Sequence, residues 1–170
     1  RRYLNVRKTI SSLHKNKIVP IINENDTVAT EEIRYGDNDR LAARVAQMID
    51  ADLLIMLSDV DGLYSESPVK NKQAKKIYNI NKIDNEIEKM ADSKHSKLVS
   101  CCMKTKIWAA KICMNSGCST VISNGHKINP LSSINNKNST WFHAFSSPSS
   151  SRKQWLFNHL HPSGSVIIDH

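Results

Sequence analysis

The stretch "DLLIML", residues 52–57, sets five apolar side chains in a row behind an aspartate. A half-exposed strand would alternate, and an amphipathic helix would break the run every third or fourth residue. An unbroken short run bounded by polar residues is expected of a strand buried on both faces, the habit of parallel sheets. Parallel neighbours must be joined by crossovers, usually helical, so the rest of the chain should alternate strand with helix. It does. "KIVPII" (17–22) and "STVIS" (119–123) read as further strands, the first rich in β-branched residues. Helical spacing appears over 2–15 (Tyr3, Val6, Ile10, Leu13) and over 37–51 (Leu41, Ala42, Val45, Met48, Ile49). It recurs in a short helix carrying Ile83, Ile87 and Met90, and over 103–116, closed by Gly117. The pattern predicts an α/β fold with a mainly parallel sheet. A tail rich in Ser and Asn follows Pro130, with "TWFHAF" as one strand and "RKQWLFN" and "SVIID" as closing strands.

In such sheets ligands gather beyond the carboxyl ends of the strands. "NEND" (23–26), "SDVDG" (58–62) and "SNG" (123–125) each follow a predicted strand directly. A second polar knot, "GDND" (36–39), opens a helix. Taken alone, GDND reads as a cap, with Asp39 in the first turn favoured by the helix dipole. Taken alone, NEND reads as an Asx-type turn. Contiguous acids and amides do not suit a calcium loop, whose ligands alternate with other residues.

The 170 residues carry 24 Lys+Arg against 16 Asp+Glu, a formal net charge of +8, which points to an anionic partner. The basic residues are scattered, without aromatic interleaving, so nucleic acid is the weaker candidate and phosphate the better one. Lys104 and Lys106 fall in the first turn of the helix predicted over 103–116, where cations oppose the dipole. A phosphate held between them and the free N–H groups would reverse that penalty. Cys101, Cys102, Cys113 and Cys118 have no zinc-framework spacing and read as free thiols. No run of 18 apolar residues is present, so no membrane span is expected.

"VPIINEND…GDND" followed by "ADLLIMLSDVDGLY" resembles the glutamate 5-kinase (γ-glutamyl kinase) family of the amino acid kinase superfamily. SDVDGLY alone would indicate only the superfamily; the NEND and GDND pair narrows it. "SNG", "FHA" and "RKQWLF" fit the closing portion of that family's kinase domain, of which the likeness covers the later two-thirds or so. The resemblance implies a three-layer αβα sandwich, incomplete at its N-terminus. Residues 1–170 would form one partial kinase domain, without the C-terminal RNA-modification-type (PUA) domain of some relatives. It implies transfer of the γ-phosphoryl of ATP to the side-chain carboxylate of L-glutamate, with ATP and Mg²⁺ as cofactors, as the first step of proline synthesis. A cytoplasmic homo-oligomer is implied as well. Carried over by motif, Asn23, Asp26 and Asn38 would hold glutamate, while Asp39 would orient lysines around the phosphates and Lys106 would reach them. Ser58 and Asp59 would contact the nucleotide, as would Ser100, Cys101, Cys102, Met103, Lys104, Thr105 and Lys106. No side chain is implied as a metal ligand.

Two departures from the family pattern matter, the first being that the family's opening strand, with its phosphate-binding Lys and glycine-rich turn, has no counterpart in these residues. Where the family has G-x-G-T-G-G-M, this chain reads "KLVSCCM", so Lys97, Val99, Cys101 and Cys102 replace glycines and Ser100 replaces threonine. A left-handed conformation costs a non-glycine residue about 1–2 kcal/mol. Another path for this segment, with weaker nucleotide binding, is therefore expected. The alternative to a working kinase is a non-catalytic remnant that keeps glutamate binding or partner contacts.

Overall fold

The apolar run at 52–57 becomes β1, Leu53–Ser58, with its side chains alternating between two faces. The computed structural model describes residues 2–23, 37–68, 71–91, 97–135 and 137–145. Around β1 lie α1 (Arg2–Lys15), α2 (Asp37–Met48), β2 (Leu63–Tyr64), β3 (Lys76–Ile77), β4 (Asn79–Ile80), α3 (Asn85–Ala91), α4 (Lys97–Asn115), β5 (Ser119–Asn124) and β6 (Thr140–Phe142). The main sheet has the order β1-β5-β6-β4. β1 runs parallel to β5 and β4 parallel to β6, while β5 and β6 are antiparallel. The architecture is thus α/β with a mostly parallel sheet. β2 and β3 form a small antiparallel ladder that the sequence reading did not separate from the polar interval.

Register explains why the strand-end motifs meet. Leu53 pairs with Ser119 and Ser58 with Asn124, so the carboxyl ends of β1 and β5 lie side by side. The Gly125 N–H donates to the Ser58 carbonyl at 2.7 Å, tying "SNG" to the start of "SDVDG". Gly62 has φ +145°, and a Cβ on it would collide with the Thr140 hydroxyl. That hydroxyl accepts from the Leu63 N–H at 2.8 Å and donates to the Ile77 carbonyl at 2.6 Å. One threonine on β6 thereby fixes β2 and β3, and only glycine fits beside it.

The core lies between the sheet and the packed pair α2 and α4. Ala43, Ala46, Met56, Ile107, Ala110, Ile122 and Phe142 are all buried in it. Alanines at the helix contact let the two axes approach closely. α4 ends in a Schellman motif, as Gly117 predicted: the Cys118 N–H reaches the Cys113 carbonyl at 2.9 Å and the Gly117 N–H reaches Met114 at 3.2 Å. Gly117 itself has φ +81°.

Three expectations need correction. Residues 17–22 form no strand; Val19 is 84% and Ile21 97% exposed. β1 is buried on one face only, since Leu53, Ile55 and Leu57 are exposed to 39%, 38% and 45%. The last helix begins at Lys97 rather than 103. "RKQWLFN" and "SVIID" lie outside the described residues.

Candidate functional site

Asp39 is the third residue of α2, in the first turn, where a carboxylate complements the helix dipole. Thr105 and Lys106 are neighbours on α4, about 100° apart around its axis. The packing of α2 on α4 brings Asp39 over the arc between them. Thr105 Oγ1 donates to Asp39 Oδ2 at 2.8 Å. Lys106 Nζ approaches the same oxygen at 3.1 Å and Oδ1 at 3.4 Å. Both partners of the ion pair are largely buried, with side chains 11% and 18% exposed. An ammonium has three donors; a carboxylate that holds it from one side leaves it capable of meeting a second anion on the other.

The long helix changes the reason for a cation here. With α4 starting at Lys97, Lys104 and Lys106 stand two turns inside it and do not flank free N–H groups. Any attraction of a phosphate to Lys106 is therefore that of its charge, not of a helix N-terminus. Replacing the glycines lets residues 97–102 continue the helix: none of Lys97, Val99, Cys101 or Cys102 carries the helix penalty of glycine, about 1 kcal/mol each. The different path anticipated for this segment is a helical one.

Asn38, exposed on α2, and Asn23, at the end of the preceding described segment, line one cavity of about 350 Å³. Its other walls are apolar, among them Leu41, Val45, Ile49 and Leu54. Two of the three predicted glutamate contacts thus share one cavity; the third, Asp26, lies outside the described residues. Ser58 ends β1, and its hydroxyl donates to Asp59 Oδ1 at 2.8 Å. Ser100, Cys101 and Cys102 belong to the first turns of α4, and their side chains are outside the description. Met103 packs against the core, and Lys104 is exposed.

The sequence reading placed Thr105 among nucleotide contacts; its hydroxyl joins Asp39. The signal for that was the direct adjacency of Thr105 to Lys106, which no spacing rule singles out. Arg40 and Arg44, one turn apart on α2, stack over Trp108 of α4 at 5.0 and 5.8 Å from the ring centre and were not anticipated. Their i, i+4 spacing on the face next to Asp39 was the readable hint. Cys113 and Cys118 are free and buried, as expected of small apolar side chains. The hydrogen bond to Cys113, together with burial, pushes the Cys118 thiol far up from its usual range. Among the described residues no three His, Cys, Asp or Glu side chains converge on a point that could hold a metal ion.

Comparison with known proteins bears on this geometry. A model of the amino acid kinase family matches residues 1–124. The chain is 52% identical to the glutamate 5-kinase of Bartonella henselae, over 99% of its own length and 45% of that protein. It is 49% identical to the glutamate 5-kinase of Paramagnetospirillum magneticum, over 99% of its length and 46% of that protein. The chain therefore spans somewhat under half the length of these curated relatives. In three dimensions it resembles the UMP kinase of Ureaplasma parvum with a TM-score of 0.55 at 19% identity, covering 81% of this chain and 52% of that one.

Proposed function

The chain belongs to the amino acid kinase family, and we propose that it forms part of a glutamate 5-kinase, a single partial kinase domain spanning residues 1–170. The reaction moves the γ-phosphoryl group of ATP onto the side-chain carboxylate of L-glutamate. An O–P bond forms to the carboxylate as the bond from the γ-phosphorus to the β–γ bridging oxygen breaks, and the products are γ-glutamyl phosphate and ADP. The observation that carries the proposal is the Asp39–Lys106 pair, held by Thr105 within a chain half identical to glutamate 5-kinases along its whole length.

In this reading Asp39 keeps the Lys106 ammonium in place without accepting a proton from substrate. No general base is needed, because the attacking carboxylate is already ionised near neutral pH. Lys106 neutralises charge on the transferring group, and alignment supplies much of the remaining acceleration. Asn23, Asp26 and Asn38 hold glutamate: the carboxylate of Asp26 takes its ammonium and the amides bond its carboxylates. Ser58 and Asp59 meet the nucleotide from the end of β1, and the segment from Ser100 to Lys106 borders it along α4. Mg²⁺ would come with the ATP phosphates, which supply most of its coordination in kinases. Proline synthesis, a cytoplasmic location and a homo-oligomeric state go with the same reading.

Trapping the acyl phosphate with hydroxylamine, in the presence of ATP, Mg²⁺ and glutamate, tests this directly. Hydroxamate formed with glutamate but not aspartate is the expected result; none with either would remove the activity from this chain. A specific observation favours a second reading, in which the chain keeps the amino-acid pocket but not catalysis. Residues 97–102 are helical, so the Cys101 and Cys102 N–H groups are taken up within the helix and do not cradle phosphate as those of a glycine-rich loop would. Calorimetry with glutamate alone separates the two readings, since heat without hydroxamate supports the second.

A further inference from the structure

Arg40 and Arg44 stand one turn apart on α2, both exposed. Their guanidinium carbons lie 5.0 and 5.8 Å from the centre of the Trp108 ring on α4. Helix formation alone disfavours this placement twice. Arg40 is the fourth residue of α2, at the end where the helix dipole repels a cation. Like charges four residues apart also repel each other along a helix. Asp39, the acid next to Arg40 in sequence, is turned to α4, where Thr105 and Lys106 take up its oxygens. Among the described residues neither guanidinium has a hydrogen bond or an ion pair, and the indole ring is their shared contact.

Stacking on an indole uses the flat face of a guanidinium and leaves its N–H edge open. Trp108 therefore holds two arginine heads in place without satisfying their donors. The surroundings are positive too: Lys104, one turn before Trp108 on the same face of α4, is exposed. The acid close by on α3, Glu88, is taken by Lys111 at 2.7 Å. A guanidinium fork matches a carboxylate through two parallel hydrogen bonds. Tryptophan and arginine together are the residues that dominate binding energy between proteins. Single-stranded nucleic acid fits less well, because its bases need an open ring to stack on, and the arginines already lie over this one. A membrane surface fits less well again, since Trp108 is only 37% exposed and stands between Lys104 and Lys111 on the outside of α4.

We propose that Arg40, Arg44 and Trp108 form a docking site for an acidic segment of a partner protein. The segment presents two carboxylates about 5–7 Å apart at their roots, the spacing of side chains one turn apart on a helix or two apart on a strand. Each guanidinium takes one carboxylate. Because the ring already restrains both arginines, little side-chain freedom is lost when the partner arrives. A second copy of this chain is a poor occupant, since two molecules of formal net charge +8 repel each other. The site stands apart from the kinase reading, because it uses none of the residues given a role in phosphoryl transfer.

The test uses the 170-residue chain and, as acidic probe, an octaglutamate peptide blocked at both ends, followed by calorimetry and by NMR of the Trp108 indole N–H. Saturable binding that shifts this signal is the expected result. Arg40→Gln combined with Arg44→Gln should weaken it about tenfold. Arg40→Lys combined with Arg44→Lys keeps both charges but loses the planar forks, and should weaken it about threefold. The lysine variant also covers the case in which the glutamine variant fails to fold. Lys72→Gln combined with Lys127→Gln removes the same charge from exposed positions off α2 and α4, and should leave the affinity within about twofold, because distant exposed charges are screened by salt. Absence of saturable binding, no shift at Trp108, full affinity in either folded arginine variant, or equal weakening by the remote pair would each overturn the proposal. So would tighter binding of an eight-residue oligothymidylate, or of phosphatidylglycerol vesicles, through the same arginines, which would identify nucleic acid or membrane as the occupant. Hydroxamate formation is measured separately, so peptide binding without catalysis keeps the docking site and removes the activity.

Discussion

Thr105 and Lys106 share one acceptor: Asp39 Oδ2 takes the threonine hydroxyl at 2.8 Å and the lysine ammonium at 3.1 Å. The threonine bond restrains the carboxylate, and the restrained carboxylate restrains the cation. Asp39→Asn keeps the shape but removes the charge, and hydrogen bonds to charged groups contribute about 1.5–3 kcal/mol. A loss of that size in urea unfolding is expected, with Lys106→Met costing a similar amount. The double variant should be clearly less destabilised than the sum of the two, because it leaves no buried charge uncompensated. Strict additivity would show that the pair contributes nothing.

Thr105→Val removes the hydroxyl and leaves side-chain volume nearly unchanged, whereas Thr105→Ser keeps the donor. The valine variant should lose about 1 kcal/mol of stability and the serine variant much less. Where hydroxamate is formed, the valine variant should lower kcat more than it raises KM for ATP, with serine restoring it. Equal loss in both variants would mean that the methyl group matters and the hydroxyl does not.

Gly62 and Thr140 make a contact that tolerates no added atom. Gly62→Ala meets both an unfavourable φ of +145° and the Thr140 hydroxyl, and strained backbone of this kind costs about 1–3 kcal/mol. Thr140→Val would relieve the hydroxyl but strand the Leu63 N–H and the Ile77 carbonyl, at a further cost of about 1–3 kcal/mol. Thermal unfolding of the two single variants checks both values.

Cys113 and Cys118 are buried, and the Cys118 thiol is pushed up by its bond to Cys113 and by burial. Alkylation requires the thiolate. At pH 8.5 iodoacetamide should leave peptides containing Cys118 unlabelled in the folded chain and label them fully in urea. Rapid labelling of Cys118 without denaturant would contradict its burial.

How much of this was legible depended on how local each signal was. α1, α2, β1 and β5 follow from spacing of apolar residues along the chain, and the Gly117 stop follows from one residue's freedom at positive φ. The Asp39–Lys106 contact joins residues 67 apart in sequence, and only the resemblance put them in one site. β2 and β3 contain two residues each, too few for any period to appear. The run at 17–22 has the composition of a strand, but composition cannot supply the neighbouring backbone that a strand needs. Likewise β1 reads as buried on both faces because its sequence suits that setting, while the described residues cover one face.

Residues 97–102 provide the sharpest remaining test, because one sequence change there should move structure and binding in opposite directions. Four positions that are glycine in the family pattern are Lys97, Val99, Cys101 and Cys102 here, and the segment is the start of α4. Placing glycine at all four would remove about 1 kcal/mol of helix propensity per site, or about 4 kcal/mol in total. No short helix end outlasts a penalty of that size, so α4 should begin near Met103, and circular dichroism should show the loss of roughly one and a half turns. Lys104 and Lys106 would then stand at a helix N-terminus with free N–H groups beside them, where phosphate is favoured. ATP affinity, read by calorimetry, should rise at least tenfold as helix content falls. Helix loss without any gain in ATP binding would separate the shape of this segment from nucleotide recognition, and would leave Lys106 with Asp39 as its only anion.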